Sequence, residues 1–440
     1  MTGISRIKRI GVALLWAGVC GTAMADTTDV EVKLDEVFVG AHRSGTLLSS
    51  SSVGKREIIT SAGLTKMACC NLSESFENSA SVTVGFTDAV SGAKQIQLLG
   101  LSGVYGRMLA ENVPTLRGLA ASFGWSHVPS RWLESVHISK GASSVVNGYE
   151  SVTGQINLEF VKPETTDPLS VNVYYDNDKH LEGNLTSALQ LGERWWTGLF
   201  VSGLRGKEVH DDNGDNFLDM PKTEYINVYN RWLYADRERG IQSRTGVKFF
   251  YEDRRAGQDS LCHKKHGIPY QGIELFETAI LNRHVTAENK TGFALDEGDG
   301  GSLGLITAFT HHEQGLRFGR KTFGGTQNSW YANLLFTSPS SAIHRYTVGT
   351  SFTGDFFRTS FEDRLEFNRT PLTPINRTEL VPGVFGEYTW EHPVGLLLVA
   401  GVRTDYNSRF GWLVTPRLNL KYTPAGYLTF RASAGRGYRS

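Results

Sequence analysis

The sequence predicts a small α+β domain followed by a transmembrane antiparallel β-barrel, and three observations predict it. The chain opens with an export signal. Beyond Pro168, apolar residues recur at every second position almost to the end of the 440 residues. The connections between those segments alternate between short and long.

The export signal comes first. Arg6, Lys8 and Arg9 give a basic start, an apolar run follows from Ile10 to Cys20, and Ala23-Met24-Ala25 is a small-x-small cleavage site. Residues 1–25 therefore read as a secretory signal peptide, because the apolar run is too short to span a bilayer. Val19 before Cys20 has the wrong size for lipoprotein processing, so Cys20 is expected to leave with the signal and Asp26 to begin the mature chain. No later run of 18 apolar residues exists, so no helix is expected to cross a membrane. A net charge of zero gives no pull toward nucleic acid. Glycine is frequent (48), proline scarce (13) and aromatics reach 11%, which suits an exported β-protein. Cys69, Cys70 and Cys262 remain, and an odd number outside the cytoplasm leaves at least one unpaired, intermolecular or a ligand. With no G-x-S-x-G, H-E-x-x-H or P-loop, the chain is not expected to be an enzyme or to require a cofactor.

The first domain follows. Residues 26–50 hold an extended stretch, Val37-Phe38-Val39, and a serine-rich connector begins at Ser49. Residues 51–165 read as the α+β domain. A helix is expected from Leu64 to Phe76, with Leu64, Ala68, Leu72 and Phe76 on one stripe and Ser61 as cap. Short strands are expected at Val82–Val84, Gln95–Leu99, Tyr105–Leu109, Ser135–Ser139 and Gln155–Phe160. Val161 to Pro168 reads as the linker that ends the domain.

From 168 to 440 the period is two. Val171-Val173-Tyr175, Leu199-Val201, Val247-Phe249-Tyr251, Val384-Gly386-Tyr388 and Leu428-Phe430 are examples among about thirteen segments. Turns near Gly192-Glu193, Asp236–Gly240, Asp296–Gly301, Pro339–Ser341, Glu391–Pro393 and Pro424–Gly426 are short. Gly206–Thr223, Arg254–Thr278, Gln314–Thr326 and Arg358–Glu379 are expected to be long polar loops. That alternation is what a membrane barrel shows, with turns on one rim and loops on the other, whereas the loops of a soluble β-sandwich need not alternate.

The stretch RWLESVHISKGASSVVNGYESVTGQINLEF resembles the end of the plug domain of TonB-dependent outer-membrane receptors. Glu134, Val136, Ile138, Lys140, Gly141, Ser144, Gly148, Gly154, Ile156 and Asn157 match the family pattern. LDEVFVGAHR is similar to the family's TonB box, carried by Asp35, Glu36, Val37, Phe38, Val39 and Gly40, with Phe38 and Gly40 departing from the usual residues. IQLLGLSGVYGRMLAENVP resembles a plug strand and turn, with Asn112-Val113-Pro114 at the turn. The resemblance implies a plug inside a barrel of the 22-strand type, of which about thirteen strands are present, so a truncated chain with open sheet edges is expected. It also implies ligand capture outside a Gram-negative cell, and TonB, with its inner-membrane energising complex, pairing with the TonB box from the periplasm. Outer-membrane lipid would surround the wall. Strand addition suits an extended V-F-V segment, because backbone bonds tolerate side-chain variation.

Several clusters suggest a metal or metal chelate as cargo. Met67, Cys69 and Cys70 lie on the expected helix, and thiolates select soft metals. Cys262, His263 and His266 fall in an expected external loop, and His311 and His312 are expected at the same rim at ligand-like spacing. Asp211, Asn213, Asp215 and Asp219 alternate oxygen ligands as calcium loops do, so a structural Ca²⁺ is expected to stiffen that loop. Three readings stay open at this point: active import of a metal, siderophore, haem or cobalamin, a passive porin, and a ligand-sensing receptor without transport.

Overall fold

The computed structural model describes residues 46–49, 52–66, 72–76, 79–86, 90–177, 179–265, 274–295, 300–339, 343–363 and 372–439. The signal peptide, the TonB-box segment, Met67, Cys69, Cys70 and His266 lie outside the described residues.

The first domain is built on β1 (Thr46–Leu48), β2 (Arg56–Thr60), β3 (Val82–Phe86), β4 (Lys94–Leu98), β5 (Leu101–Ser102), β6 (Gly106–Ala110), β7 (Val113–Pro114), β8 (Leu133–Lys140) and β9 (Gly154–Phe160). Six of them form one sheet in the order β1-β2-β8-β9-β6-β7, and β3-β4-β5 form a second. All pairs are antiparallel except β6 with β9, which run parallel. Ile59, Leu72, Phe76, Trp132, Val136, Ile138 and Leu158 are fully buried and make the core.

The expected helix is shorter than its stripe suggested. It is α1 (Ser61–Lys66), and a separate 3₁₀ turn covers Glu74–Phe76. Ser61 is its first residue rather than its cap; the Gly63 N–H donates to Thr60 Oγ1 instead (3.2 Å). Leu64, Leu72 and Phe76 still reach one core, because burial needs only that their side chains converge.

Thirteen strands follow in a single antiparallel meander: β10 (Leu169–Tyr175), β11 (Leu181–Gln190), β12 (Trp195–Gly206), β13 (Lys222–Asp236), β14 (Ile241–Gly257), β15 (Glu277–Ala294), β16 (Ser302–Phe318), β17 (Lys321–Thr337), β18 (His344–Asp363), β19 (Leu372–His392), β20 (Leu396–Asn407), β21 (Gly411–Ala425) and β22 (Leu428–Gly435). The two faces invert the soluble rule. Asn184, Ser202, Asn227, Glu252, Asn282, Gln327 and Asp405 are buried, whereas Val247, Phe249, Trp330, Phe352, Phe356 and Val384 are exposed. A sheet that buries its polar face around a domain and exposes its apolar face is the wall of a membrane barrel.

One end of the wall, where the linker enters β10, carries only short turns, as expected. The far end departs from strict alternation. The long connections between β12 and β13 and between β14 and β15 are present, but β16 and β17 are joined by Gly319 and Arg320 alone. The expected 314–326 loop is therefore strand. Its glycines misled, since Gly315 pairs with Gly324 and Gln314 with Gly325 inside the ladder. Strand also consumes much of the expected 358–379 loop, with β18 reaching Asp363 and β19 starting at Leu372.

Candidate functional site at the seam between plug and wall

The central hairpin of the first domain, β8 and β9, carries the motif picked out in the sequence. Val136, Ile138 and Ile156 enter the core, Glu134 points outward, and Lys140 closes the hairpin by pairing with Gly154. Gly154 has φ +146°, and a Cβ there would run into the Ser139 carbonyl. At Gly148, with φ +100°, a Cβ would strike the Arg107 guanidinium. Asn157 reaches sideways and accepts the Asn112 N–H (2.9 Å), which fixes the turn between β6 and β7.

The excursion between β8 and β9 presses into the wall. Ser144 Oγ accepts the Val146 N–H (3.1 Å) and starts a 3₁₀ turn, Val145–Asn147. Inward-facing side chains of β19–β21 then bind the excursion's backbone. Glu387 accepts the Val145 N–H (3.2 Å), Arg403 donates to the Val145 carbonyl (3.4 Å), and Arg417 donates to the carbonyls of Ser143 (3.0 Å) and Ser144 (2.8 Å). Small residues are required on both sides of this contact: a Cβ at Gly141 would meet Ser433 Oγ at 2.9 Å. A Cβ at Gly401 would meet Val145 Cγ2 at 2.7 Å.

Two buried carboxylates knot the seam. Glu150 binds Arg117 (2.8 Å), Arg439 (3.3 Å) and Arg107 (3.4 Å), and Arg117 also reaches Asp355 of β18 (3.3 Å). Burial pushes the Glu150 carboxyl up, but Arg117, Arg107 and Arg439 outweigh it and leave it at about 2. Glu111, in the turn between β6 and β7, binds Arg231 of β13 (2.5 Å), Lys290 of β15 (2.7 Å) and Lys162 of the linker (3.0 Å). Burial again works against the charge, and Lys290, Arg231 and Lys162 hold the carboxyl well below the ordinary glutamate range. Sequence reasoning passed over these residues. The available signal was Arg231, Lys290, Asp355, Arg403 and Arg417 standing at positions whose alternation faces the lumen.

A third kind of contact is apolar. Trp132 packs on Phe200 and Tyr229 of the wall, with ring centroids 6.1 and 6.3 Å apart, and Phe160 lies 5.4 Å from Tyr229. These wall residues share one core with the plug. Toward the far end, Arg254 donates to the carbonyls of Ser91 (3.1 Å) and Gly92 (3.4 Å), and Leu119 is held between Gln327 and Gln314.

Among the described residues, those expected to bind a transported metal are not brought together. His311 and His312 lie within β16 rather than in a rim loop, because the strand continues six residues past His312 to Phe318. His312 is buried in the lumen wall with its Nδ1 3.3 Å from Nδ1 of His284, while His311 faces outward against Asn328 (2.7 Å). Cys262 is a free, buried thiol in α2 (Ser260–Lys265), where His263 lies too; the side chain of His263 is outside the described residues. The acidic loop uses its oxygens on its own backbone. Asp211 accepts the N–H of Gly214 (2.9 Å) and Asn216 (3.2 Å), Asn213 that of Asp215 (2.9 Å), Asp215 that of Phe217 (2.8 Å), and Asp219 that of Asp212 (2.7 Å). Among the described residues no three or more histidine, cysteine or acidic side chains converge as a metal site. These side-chain-to-backbone bonds themselves stiffen the loop.

Comparison with known proteins agrees with this geometry. Residues 49–155 match the family model described as the TonB-dependent receptor plug domain, and residues 117–440 match the TonB-dependent receptor-like β-barrel. A search of curated protein sequences finds no match. Similar solved structures include the alcaligin outer-membrane receptor FauA from Bordetella pertussis (12% identity, 87% of this chain and 62% of that chain, TM-score 0.68). The ferric enterobactin receptor PfeA from Pseudomonas aeruginosa is similar at 14% identity, over 88% of this chain and 62% of that one, with TM-score 0.65. FpvA from P. aeruginosa, bound to an iron–pyoverdine complex, is similar at 14% identity, over 88% and 57%, with TM-score 0.70. The chain thus spans about three fifths of the length of these relatives. A globule knotted by its main chain and two carboxylates into a wall of β-strands, matched by both family models, makes this chain a member of the TonB-dependent receptors.

Proposed function

We propose that this chain serves energised import across the outer membrane of a Gram-negative bacterium, with a metal chelate of the siderophore class as cargo and TonB as the periplasmic partner. The observation that carries the reading is the chemistry of the seam. Plug and wall meet through ion pairs and hydrogen bonds, with apolar contact confined to separate patches around Trp132, Phe123 and Tyr149, while each keeps its own structure. A hydrogen bond exchanged for water costs only about 1 kcal/mol net, so such a seam is reversible under load, whereas a continuous apolar interface would not be. A passive porin has no use for a lumen filled by a folded domain.

The chelate reading is preferred to bare metal. His312 sits behind the plug, and no metal cluster forms among the described residues. The structurally similar receptors are named for alcaligin, ferric enterobactin and pyoverdine, which supports a chelate of that kind. TonB would engage the segment from Asp35 to Gly40 by strand addition.

The test is growth of an iron-starved strain whose only chelate receptor is the full-length protein, supplied singly with ferric catecholate, hydroxamate or citrate. One chelate is expected to support growth. Deleting the mature residues before Ser44 is expected to abolish uptake and spare binding; undiminished uptake by that variant would return the porin reading.

A further inference from the structure

The outward face carries a feature that uptake does not use. The register aligns its side chains in lateral rows across β15–β19. One row, Ala287, Phe309, Trp330, Gly354 and Leu380, belongs to the apolar belt. Four residues nearer the far end lies another, Arg283, Glu313, Thr326, Arg358 and Asn376. Four residues amount to about 13 Å along a strand and about 10 Å along the membrane normal at the usual tilt, and the change from Phe309 and Trp330 to Arg283, Glu313, Arg358 and Asn376 marks the passage from hydrocarbon to headgroup layer.

Directly beyond it, Gly315 and Gly324 face each other on neighbouring strands. Their direction is fixed by their neighbour: a Cβ on Gly325 would meet Leu119 of the plug at 2.8 Å, so Gly324 points away from the lumen. The missing side chains lay the backbone bare and open a cavity of about 480 Å³ on the outer wall, within the size range of small-ligand sites. Arg283 at its edge is matched by Glu313 (3.4 Å), which also contacts His311 (3.3 Å). Arg358 is exposed, and among the described residues no carboxylate pairs with it. Thr326 and Ser360 add hydroxyls and Asn376 an amide.

We propose that this groove holds the phosphate-bearing headgroup of a membrane lipid. The Arg358 guanidinium offers a planar fork that matches a phosphate, and the hydroxyls and amide supply donors for its remaining oxygens. Glu313 fixes Arg283 at the edge of the groove, and the acyl chains descend over Phe356, Phe309 and Trp330. The groove opens sideways onto the apolar belt and not into the lumen, which selects an anchored headgroup over a free anion. The inference rests on the outer wall meeting lipid and is independent of what is transported.

The test is native mass spectrometry of the full-length protein in detergent, titrated separately with phosphatidic acid, phosphatidylcholine and inorganic phosphate. Phosphatidic acid is expected to bind more tightly than phosphatidylcholine, and Arg358→Ala to weaken it roughly fivefold, the worth of one basic residue at an anionic lipid surface. Gly315→Val fills the groove from a position where a Cβ meets only Leu281, at 3.8 Å. It is expected to weaken phosphatidic acid to a similar degree while the barrel keeps its heat-resistant migration. Equal retention of phosphatidic acid by wild type and both variants would overturn the proposal. So would competition by inorganic phosphate at the lipid's own concentration, which would mark a site for free anions.

Discussion

Replacing Glu111 with glutamine tests whether the seam is held by charge. The carboxylate is 5% exposed and faces three cations. Removing one member of a buried pair costs about 3–5 kcal/mol, because it strands the opposite charge. All three cations retain something: Lys162 keeps Glu159 at 2.9 Å, Arg231 keeps the Val161 carbonyl at 2.6 Å, and Lys290 keeps the Glu111 carbonyl at 2.7 Å. The lower end, about 3 kcal/mol, is therefore expected. Hydrogen exchange of the β6–β7 turn reads it directly, since the Glu111 N–H donates to the Leu158 carbonyl (2.8 Å). Exchange there should quicken roughly a hundredfold at neutral pH. Adding Lys290→Met to the glutamine variant should recover part of the loss, because it removes a stranded cation. The sign with pH follows from the depressed Glu111 carboxyl: its stabilisation is complete above the ordinary glutamate pKa, about 4.3, and is lost as pH falls below it. Wild type should then approach the variant in acid, once exchange is corrected for its intrinsic rate. A change below fivefold, or a double variant that simply adds both losses, would refute an electrostatic knot.

Other outcomes follow from the same geometry. Glu150, held at about 2, should contribute about 3 kcal/mol at neutral pH; a pH titration of plug unfolding should show wild type losing this below the ordinary glutamate range and converging on Glu150→Gln near pH 2. His137 runs the same way for another reason. Burial, then Arg56, pushes its imidazole down to about 4, so the neutral form is the folded one. Stability falls as pH drops from 6.5 toward 4, and His137→Gln should flatten that part of the curve. Gly154→Ala must place a methyl against the Ser139 carbonyl and should cost roughly 2–4 kcal/mol, visible as protease nicking inside the plug with the barrel intact. Trp132→Ala should cost about 3–5 kcal/mol and loosen the plug at β12–β14 alone, as exchange maps would show.

How much of this was legible depended on whether the signal was local. The strands of β8 and β9, the linker and thirteen wall strands follow from alternation and turn residues, which act within a few positions. The 314–326 segment failed because Gly315, Gly324 and Gly325 look like loop composition, while at Gly325 the role is close approach: it lies against Leu119 of the plug, just over two hundred residues away. His311 and His312 failed with it, since a wrong loop places both at a rim. Alternation turns Arg231, Lys290 and Asp355 toward the lumen, but that Glu111 and Glu150 meet this side of the wall follows only from the register. The acidic loop shows a further limit. Alternating Asp and Asn has the spacing both of a cation loop and of Asx turns, and spacing by itself does not separate the two.

The seam divides its labour between kinds of bond. At the excursion between β8 and β9, the wall reads main-chain carbonyls with Arg403 and Arg417, contacts that depend on backbone shape and accept water as a substitute. At Glu111 and Glu150 it uses full charges, whose loss is large when one partner is stranded but small when both become hydrated together. Withdrawing the plug as a body hydrates both partners at once, so the knots resist single substitutions far more than concerted displacement. Trp132 behaves oppositely: its contact with Phe200 and Tyr229 costs apolar exposure however it is broken. Displacement should therefore begin at the backbone and charge contacts and leave the apolar ones until last: Trp132 against Phe200 and Tyr229, Phe123 against Ile280, and Tyr149 against Val381 and Leu413.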